Sequence, residues 1–184
     1  MAIIDYKTGL HDEVNIKNWA YGINMQLPIY IHLINKSNLF TNVKIGGLYL
    51  QKIYSNKNDD DLEDSLKLIG YTNSDESIMS VVDETYSDSK LIKGLKTNQD
   101  GSFNYYAKVI SNDELDKLDY IVENKIEECY KNINNNCFDI NPKVIGNINY
   151  GCRYCKYKDI CFVKEEDKVI LPQIDNLFGG DING

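Results

Sequence analysis

Residues 3–9 read Ile3-Ile4-Asp5-Tyr6-Lys7-Thr8-Gly9, and they predict a buried strand that runs out into a loop. The opening β-branched pair favours a strand, and the closing Thr-Gly is a turn signal. Side chains alternate along a strand, so Asp5 and Lys7 project from one side and Tyr6 from the other. A carboxylate and an ammonium group at a strand end suit metal-assisted phosphodiester hydrolysis. A surface ion pair is the competing interpretation.

The next residues predict an α/β unit built around this strand. A helix is expected over residues 16–35, with a kink or break at Pro28, and a second strand over about residues 47–54. The two strands can lie parallel in one sheet, and ligands gather at the carboxyl ends of such strands. Gln26 and Tyr30 are four residues apart and share a face of the helix. A polar flank beside a core aromatic is the alternative for that pair.

Four regions follow from these patterns: a core fragment over residues 1–54, an insertion over 55–104, a strand, helix and cysteine region over 105–168, and a flexible tail over 169–184. The insertion is expected to be exposed and partly mobile, with a solvated acidic run and a short helix that stops at Gly70.

The third region is predicted to begin with a strand over residues 105–110. Ser111 and Glu114 then form a capping box that opens a helix to about Lys131. Cys129 lies on the apolar stripe of that helix and is expected to be buried.

The composition sets limits on the class of protein. The chain has 184 residues and a formal net charge of −8, which counts against a free-standing nucleic-acid binder. A nuclease metal site is itself acidic, however, and a larger assembly can supply basic surface elsewhere. No apolar run approaches a membrane span and no signal peptide pattern is present, so a soluble cytoplasmic protein is expected.

Three cysteines are crowded near the carboxyl end. Cys152, Cys155 and Cys161 form a C-x2-C-x5-C pattern, which indicates soft-metal ligands in a reducing compartment. Structural zinc and cubane iron–sulfur sites need four ligands. The fourth must come from Cys137, Cys129, His32 or a segment outside this chain. Unligated cysteines are the alternative.

The order of four motifs carries a resemblance. D-Y-K-T-G, Q-L-P-I-Y, G-G-L-Y-L and C-x2-C-x5-C follow one another along the chain. This series resembles the RecB-type PD-(D/E)XK nuclease domains that carry an iron–sulfur cluster, and among them the carboxyl-terminal region of AddB subunits of bacterial AddAB helicase–nucleases. The likeness runs from Ile3 to about Phe162. It implies a partial restriction-endonuclease-like α/β core with an inserted region and a carboxyl-terminal helix and cysteine knuckle.

The resemblance also implies roles for single residues. Asp5 is the expected metal-binding acid, Tyr6 lends a backbone carbonyl to Mg²⁺, and Lys7 is the catalytic lysine. Gln26 and Tyr30 resemble the pair that supports the active site and contacts DNA. Cys152, Cys155 and Cys161 resemble three of the four ligands of a [4Fe-4S] cluster, with Zn²⁺ as the alternative metal.

The implied function is Mg²⁺-dependent DNA exonuclease activity in double-strand break repair, with an AddA-like helicase–nuclease subunit as partner. The family places further acids and a first cluster cysteine upstream of the D-x-K strand, and this chain lacks them. It is therefore expected to be a fragment that is weak or inactive alone. The alternatives are a Cas4-like iron–sulfur exonuclease, a non-catalytic scaffold that binds DNA ends or a helicase, and an α/β domain whose motifs match by chance.

Overall fold

A computed structural model of the chain describes residues 1–8, 14–53 and 62–179. The chain forms two compact units, Met1–Asn124 and Lys125–Gly184. Two expectations concern residues outside the described ranges: most of the acidic run before residue 62, and the end of the tail at residues 180–184. No helix among the described residues combines the length and apolar character that crossing a bilayer requires.

The first unit is built on a four-stranded mixed sheet. Its strands are β1 (Ala2–Lys7), β2 (Gly47–Lys52), β3 (Ile69–Asn73) and β4 (Val109–Ile110), in the order β1-β2-β3-β4. β1 and β2 are parallel, β2 and β3 antiparallel, and β3 and β4 parallel. The α/β class and the parallel pairing of the first two strands are therefore confirmed.

Five α-helices accompany the strands in the described part of the chain. They are α1 (Gln26–Lys36), α2 (Leu62–Ser65), α3 (Glu76–Val82), α4 (Asn112–Asn134) and α5 (Lys158–Cys161). Short 3₁₀ segments lie at Ile16–Tyr21 and Glu165–Asp167.

The expectation of one helix broken at Pro28 is wrong. A 3₁₀ segment ends at Gly22, whose φ of 74° is left-handed, and Asn24 is also left-handed at 58°. The backbone thus turns before α1 begins at Gln26. Pro28 then falls in the first helical turn, where the N–H that proline lacks would have no partner within the helix. The proline is compatible with the start of α1 and breaks nothing.

The expectation of an exposed insertion is wrong for the strand and the buried core residues within 68–95, although other residues of that range are exposed. β3 lies between β2 and β4 in the sheet. A buried cluster joins Tyr49 of β2 to four residues of the presumed insertion, which are Leu68, Met79, Ile92 and Leu95. Gly70 lies inside β3 and does not end a helix, since α2 ends at Ser65. These apolar residues are widely spaced among polar ones, so no short window of sequence shows their burial.

The start of α4 is as predicted, but its later part differs. The Ser111 backbone N–H donates to Glu114 Oε2 (2.8 Å), and the Glu114 N–H donates to Ser111 Oγ (3.2 Å), which confirms the capping box. The strand before it is shorter than predicted and includes only Val109–Ile110. Burial along α4 ends at Val122, and Cys129 is exposed. The predicted burial of Cys129 is wrong because the apolar stripe of α4 extends beyond Val122, the last residue of the helix that is buried.

The second unit contains a three-stranded sheet that the sequence did not predict. Its strands are β5 (Lys143–Ile145), β6 (Ile148–Asn149) and β7 (Val169–Leu171), in the order β6-β5-β7. β7 pairs with β5 in parallel, and Leu177 is buried beyond it. The expectation of a flexible tail from residue 169 is therefore wrong over these residues, because the apolar run of β7 has a partner strand.

Candidate active site

β1 places two charged side chains at its carboxyl end. Ile3, Asp5 and Lys7 lie on one face of the strand, where Ile3 is buried, while Tyr6 on the other face is exposed. Lys7 Nζ lies 2.6 Å from Asp5 Oδ2. The alternation predicted from the sequence thus brings the carboxylate and the ammonium group into contact.

Gln26, the first residue of α1, connects these two groups. Lys7 Nζ donates to Gln26 Oε1 (2.8 Å). Gln26 Nε2 in turn donates to Asp5 Oδ1 (3.2 Å) and to the Tyr30 hydroxyl oxygen (2.8 Å). The amide of Gln26 therefore joins residues from β1 and α1 into one hydrogen-bonded group. We call Asp5, Lys7, Gln26 and Tyr30 the polar quartet.

One oxygen of the polar quartet is not satisfied by hydrogen bonding. Asp5 Oδ2 is buried and accepts no hydrogen bond within the described residues, although Lys7 Nζ is close enough for an ion pair. The short contact thus lacks hydrogen-bond geometry. Buried polar atoms without a partner are rare, and a bound ion is one explanation for them. A carboxylate oxygen is also a ligand type that Mg²⁺ prefers, so the residue fits a divalent cation.

The backbone of Tyr6 offers a second oxygen near Asp5. β1 is an edge strand of the sheet that the described residues form. The Lys7 carbonyl accepts from the Ile53 N–H on the β2 side (3.1 Å). Consecutive residues of a strand direct their carbonyls to opposite sides, so the Tyr6 carbonyl points toward the unpaired edge.

Two polar side-chain pairs join α1 to α4 within the first unit, and sequence reasoning missed both. His32 Nδ1 lies 2.9 Å from Asp119 Oδ1, and Lys36 Nζ donates to Glu123 Oε1 (2.8 Å). The hydrogen bond and charge of Glu123 raise the pKa of Lys36, and the same contact lowers the pKa of Glu123. The two basic residues are four apart on α1 and the two acidic residues are four apart on α4, and this matched spacing is the feature of the sequence that could have predicted the pairs. They hold the helix that carries Gln26 and Tyr30.

The cysteines of the second unit do not converge in this structure. Cys152, Cys155 and Cys161 are partly buried, and Cys137 is exposed. Across residues 1–8, 14–53 and 62–179, no three His, Cys, Asp or Glu side chains are positioned to bind one metal ion. The cysteine thiols are suitable donors for a soft metal by type, but this arrangement does not form a ligand set. His32, one of the possible fourth ligands, contacts Asp119.

Comparison with known proteins assigns the chain to a family. The model of the PD-(D/E)XK nuclease superfamily matches residues 1–162. That match covers most of the chain, so the chain belongs to the PD-(D/E)XK nuclease superfamily.

Curated relatives give a narrower likeness, and those described here share the name of an ATP-dependent helicase/deoxyribonuclease subunit. The chain is 26% identical to the one from Carboxydothermus hydrogenoformans, over 91% of this chain and 16% of that protein. It is 27% identical to the protein of the same name from Clostridium novyi (strain NT), over 94% of this chain and 17% of that protein. It is 26% identical to the protein of the same name from Bacillus cereus (strain AH187), over 88% of this chain and 15% of that protein. The chain therefore spans about a sixth of the length of these relatives.

Proposed function

We propose that the chain is a nuclease region of a helicase–nuclease subunit and that the polar quartet is its hydrolytic centre. The observation that carries the proposal is the contact network that joins Asp5 and Lys7 of β1 to Gln26 and Tyr30 of α1. Membership of the nuclease superfamily and the names of the relatives support it. The substrate is DNA, and the partner is a helicase subunit of the AddA type acting with it in double-strand break repair.

Each residue of the quartet has a role that follows from its contacts. Asp5, with the Tyr6 carbonyl, supplies oxygen ligands for Mg²⁺. Lys7, held by Gln26, points its ammonium group at the same place and stabilises negative charge that develops on a phosphodiester. Gln26 fixes the separation of Asp5 and Lys7. Tyr30 is 37% exposed, and its hydroxyl is proposed to donate to a phosphate oxygen of DNA.

The cation supplies Lewis-acid polarisation of the phosphate and a lower pKa for a bound water when it is present. Asp5 is the single carboxylate of the quartet, and hard cations take several oxygen ligands. We therefore expect the isolated chain to bind Mg²⁺ weakly and to hydrolyse DNA slowly.

We further propose that Cys152, Cys155 and Cys161 contribute three ligands to a [4Fe-4S] cluster, with zinc as the alternative. Their spacing supports this, and the thiols can be brought together only by side-chain or local backbone rearrangement around the metal. The cluster has no part in the hydrolytic step.

The proposal is tested by substitution of Lys7 with alanine, beside Lys17→Ala as the matched control. Lys17 is exposed and forms no ion pair within the described residues, so its loss removes only surface charge. We expect Lys7→Ala to lower Mg²⁺-dependent DNA hydrolysis by about 10²-fold or more, the usual effect of removing a group that stabilises transition-state charge. Lys17→Ala should remain at the original rate.

The measurement is release of labelled nucleotides from DNA at increasing Mg²⁺, in this chain and in any longer polypeptide that contains it. Circular dichroism of both variants checks that the fold is kept. Equal hydrolysis by the Lys7→Ala and Lys17→Ala proteins would show that the quartet is not the hydrolytic centre.

A further inference from the structure

The cysteine region carries a surface of alternating cations and aromatic rings that the hydrolytic centre does not use. Residues 153–158 read Arg-Tyr-Cys-Lys-Tyr-Lys. The two tyrosines, Tyr154 and Tyr157, are 80% and 69% exposed. Arg153, Lys156 and Lys158 are exposed as well. We call these five side chains the knuckle surface. Large aromatic rings left in water at this density need an explanation, because they lose favourable burial.

Among the described residues, the cations of the knuckle surface have no ion-pair partner. No carboxylate of the described residues lies within 4.0 Å of the charged nitrogens of Arg153, Lys156 or Lys158. The lysines that follow differ, since Lys164 pairs with Glu166 (3.2 Å) and Lys168 with Glu165 (2.5 Å). Three positive charges within six residues, none paired with a described carboxylate, are unusual in a chain whose net charge is −8. They give this surface a local charge suited to a polyanion.

The backbone under the knuckle surface is held in place by hydrogen bonds. Asn149 Oδ1 accepts from the Cys152 N–H (2.9 Å), and the Asn149 carbonyl accepts from the Arg153 N–H (3.1 Å). The Tyr157 carbonyl accepts from the Ile160 N–H (3.0 Å). The Arg153 guanidinium lies 5.1 Å from the centre of the Tyr154 ring, within cation–π range. The rings are thus presented from an ordered turn, which reduces the entropy lost on binding.

We propose that the knuckle surface binds single-stranded DNA, with unpaired bases stacked on Tyr154 and Tyr157 and phosphates on Arg153, Lys156 and Lys158. Sequence-tolerant strand binding uses this combination, because every base has a π face and the backbone is uniformly charged. A base within a duplex is already stacked on its neighbours, and its face is not available to an exposed ring. The choice of DNA over RNA rests on the proposed function.

Binding is measured by fluorescence anisotropy of a labelled oligothymidylate, in buffer without added divalent cation. Under these conditions hydrolysis does not occur, so failure of the nuclease proposal and failure of this one are separate results. The test variant is Tyr154→Ala/Tyr157→Ala. The matched control is Tyr120→Ala/Tyr130→Ala, since both control tyrosines are 66% exposed and lie on α4 among acidic residues.

We expect the test variant to bind the oligothymidylate at least tenfold more weakly, because each stacked ring contributes substantially to binding of a single strand. The control variant should bind as the original chain does. Iron and zinc content are measured for both, so that a change in metal loading is not mistaken for the loss of a ring.

A second variant, Lys156→Gln/Lys158→Gln, tests the phosphate contacts and keeps the inference falsifiable if the tyrosine variant is misfolded. Its binding should depend less on salt, with the slope of log affinity against log salt smaller by about 1.4 in magnitude, the effect of two lost phosphate contacts on a single strand. Unchanged affinity in the tyrosine variant, an unchanged slope in the lysine variant, or tighter binding of a blunt duplex would each overturn the proposal. Unchanged affinity in the tyrosine variant would indicate that the knuckle surface binds a protein partner instead.

Discussion

At the scale of single residues, the amide of Gln26 determines how the polar quartet is arranged. It accepts from Lys7 and donates to Asp5, so both groups of the D-x-K motif are positioned by one side chain from another element. The alternation of Asp5 and Lys7 was predictable because it depends only on the two-residue period of a strand. The approach of Gln26 to β1 was not, because it depends on how α1 packs and no local pattern encodes that packing.

A second residue-scale feature is the buried tyrosine of the sheet. Tyr49 has no exposed surface, and its hydroxyl donates to Thr72 Oγ1 (2.9 Å). Burial raises the pKa of Tyr49 to about 12. An unfolded tyrosine ionises near pH 10. Between these values the unfolded chain loses this proton and the folded chain keeps it.

We therefore expect the free energy of unfolding to fall as pH rises from about 10 to about 12, by about 1.4 kcal/mol per pH unit from this group. Below pH 10 the full stability is present. Tyr49→Phe should lower the free energy of unfolding by about 1 kcal/mol at neutral pH, because Thr72 loses a hydrogen bond. The free energy of unfolding of this variant should not fall between pH 10 and pH 12 through ionisation at residue 49.

Urea unfolding at several pH values from 8 to 11.5 measures the difference between the two proteins. That difference should shrink above pH 10 and then reverse. A difference that stays constant across this range would mean that Tyr49 ionises in the folded protein as it does in the unfolded chain.

At the scale of elements, the failures of the sequence predictions have two physical causes. The break before α1 comes from left-handed backbone at Gly22 and Asn24, whereas Pro28 is the stronger breaker by propensity and sits harmlessly in the first turn. β3 was missed because its burial comes from pairing with strands distant in sequence. By contrast, the capping box of Ser111 and Glu114 spans four residues and was predicted correctly.

The packing of β3 against β2 yields a stability prediction. A Cβ atom added to Gly70 would lie 1.8 Å from the Leu48 carbonyl oxygen, which is fixed backbone. Gly70→Ala should therefore destabilise the protein by about 3 kcal/mol or more, since sheet backbone must move to admit the methyl group. Gly101 is the matched comparison, because it has a φ of 82° and no heavy atom within 4 Å of the added Cβ.

Gly101→Ala carries only the strain of its left-handed backbone, about 1 kcal/mol. Thermal unfolding followed by circular dichroism compares the two variants. If Gly70→Ala unfolds at the same temperature as Gly101→Ala, the sheet is able to accommodate the methyl group and the close approach of β3 to β2 is not a constraint.

At the scale of the whole molecule, the acidic and basic side chains are distributed unequally between the two units. Residues 1–124 carry nineteen acidic and twelve basic side chains, whereas residues 125–184 carry nine acidic and eight basic ones. The negative net charge, which counted against nucleic-acid binding, is therefore almost entirely a property of the first unit. The net charge of the full chain therefore gave no sign of the cluster of cations on the knuckle surface.

The cysteines give a prediction at the same scale, because they belong to the second unit. The chain purified without oxygen should contain iron and acid-labile sulfide and show broad visible absorbance. Cys155→Ser should lose all three properties, since a hydroxyl is a poor ligand for the cluster iron. Cys129→Ser is the comparison and should keep them, because Cys129 is exposed on α4 and outside the C-x2-C-x5-C pattern, and we expect the fourth ligand to be another group.

Elemental analysis and absorbance spectra distinguish the outcomes. Stoichiometric zinc in a colourless protein would show that the cysteines bind zinc and not an iron–sulfur cluster. Iron retained equally by the Cys155→Ser and Cys129→Ser proteins would mean that the metal is bound elsewhere.

The two polar pairs between α1 and α4 have a consequence for insertions and deletions in the chain. Asp119 and Glu123 meet His32 and Lys36 because α4 starts at a fixed point and turns by about 100° per residue. One residue inserted between the start of α4 and Asp119 would rotate both acids away from α1 while leaving every local propensity intact. The length of this helical stretch is thus as restricted as the identity of its buried residues Leu115 and Leu118, although each of its exposed side chains can be exchanged freely.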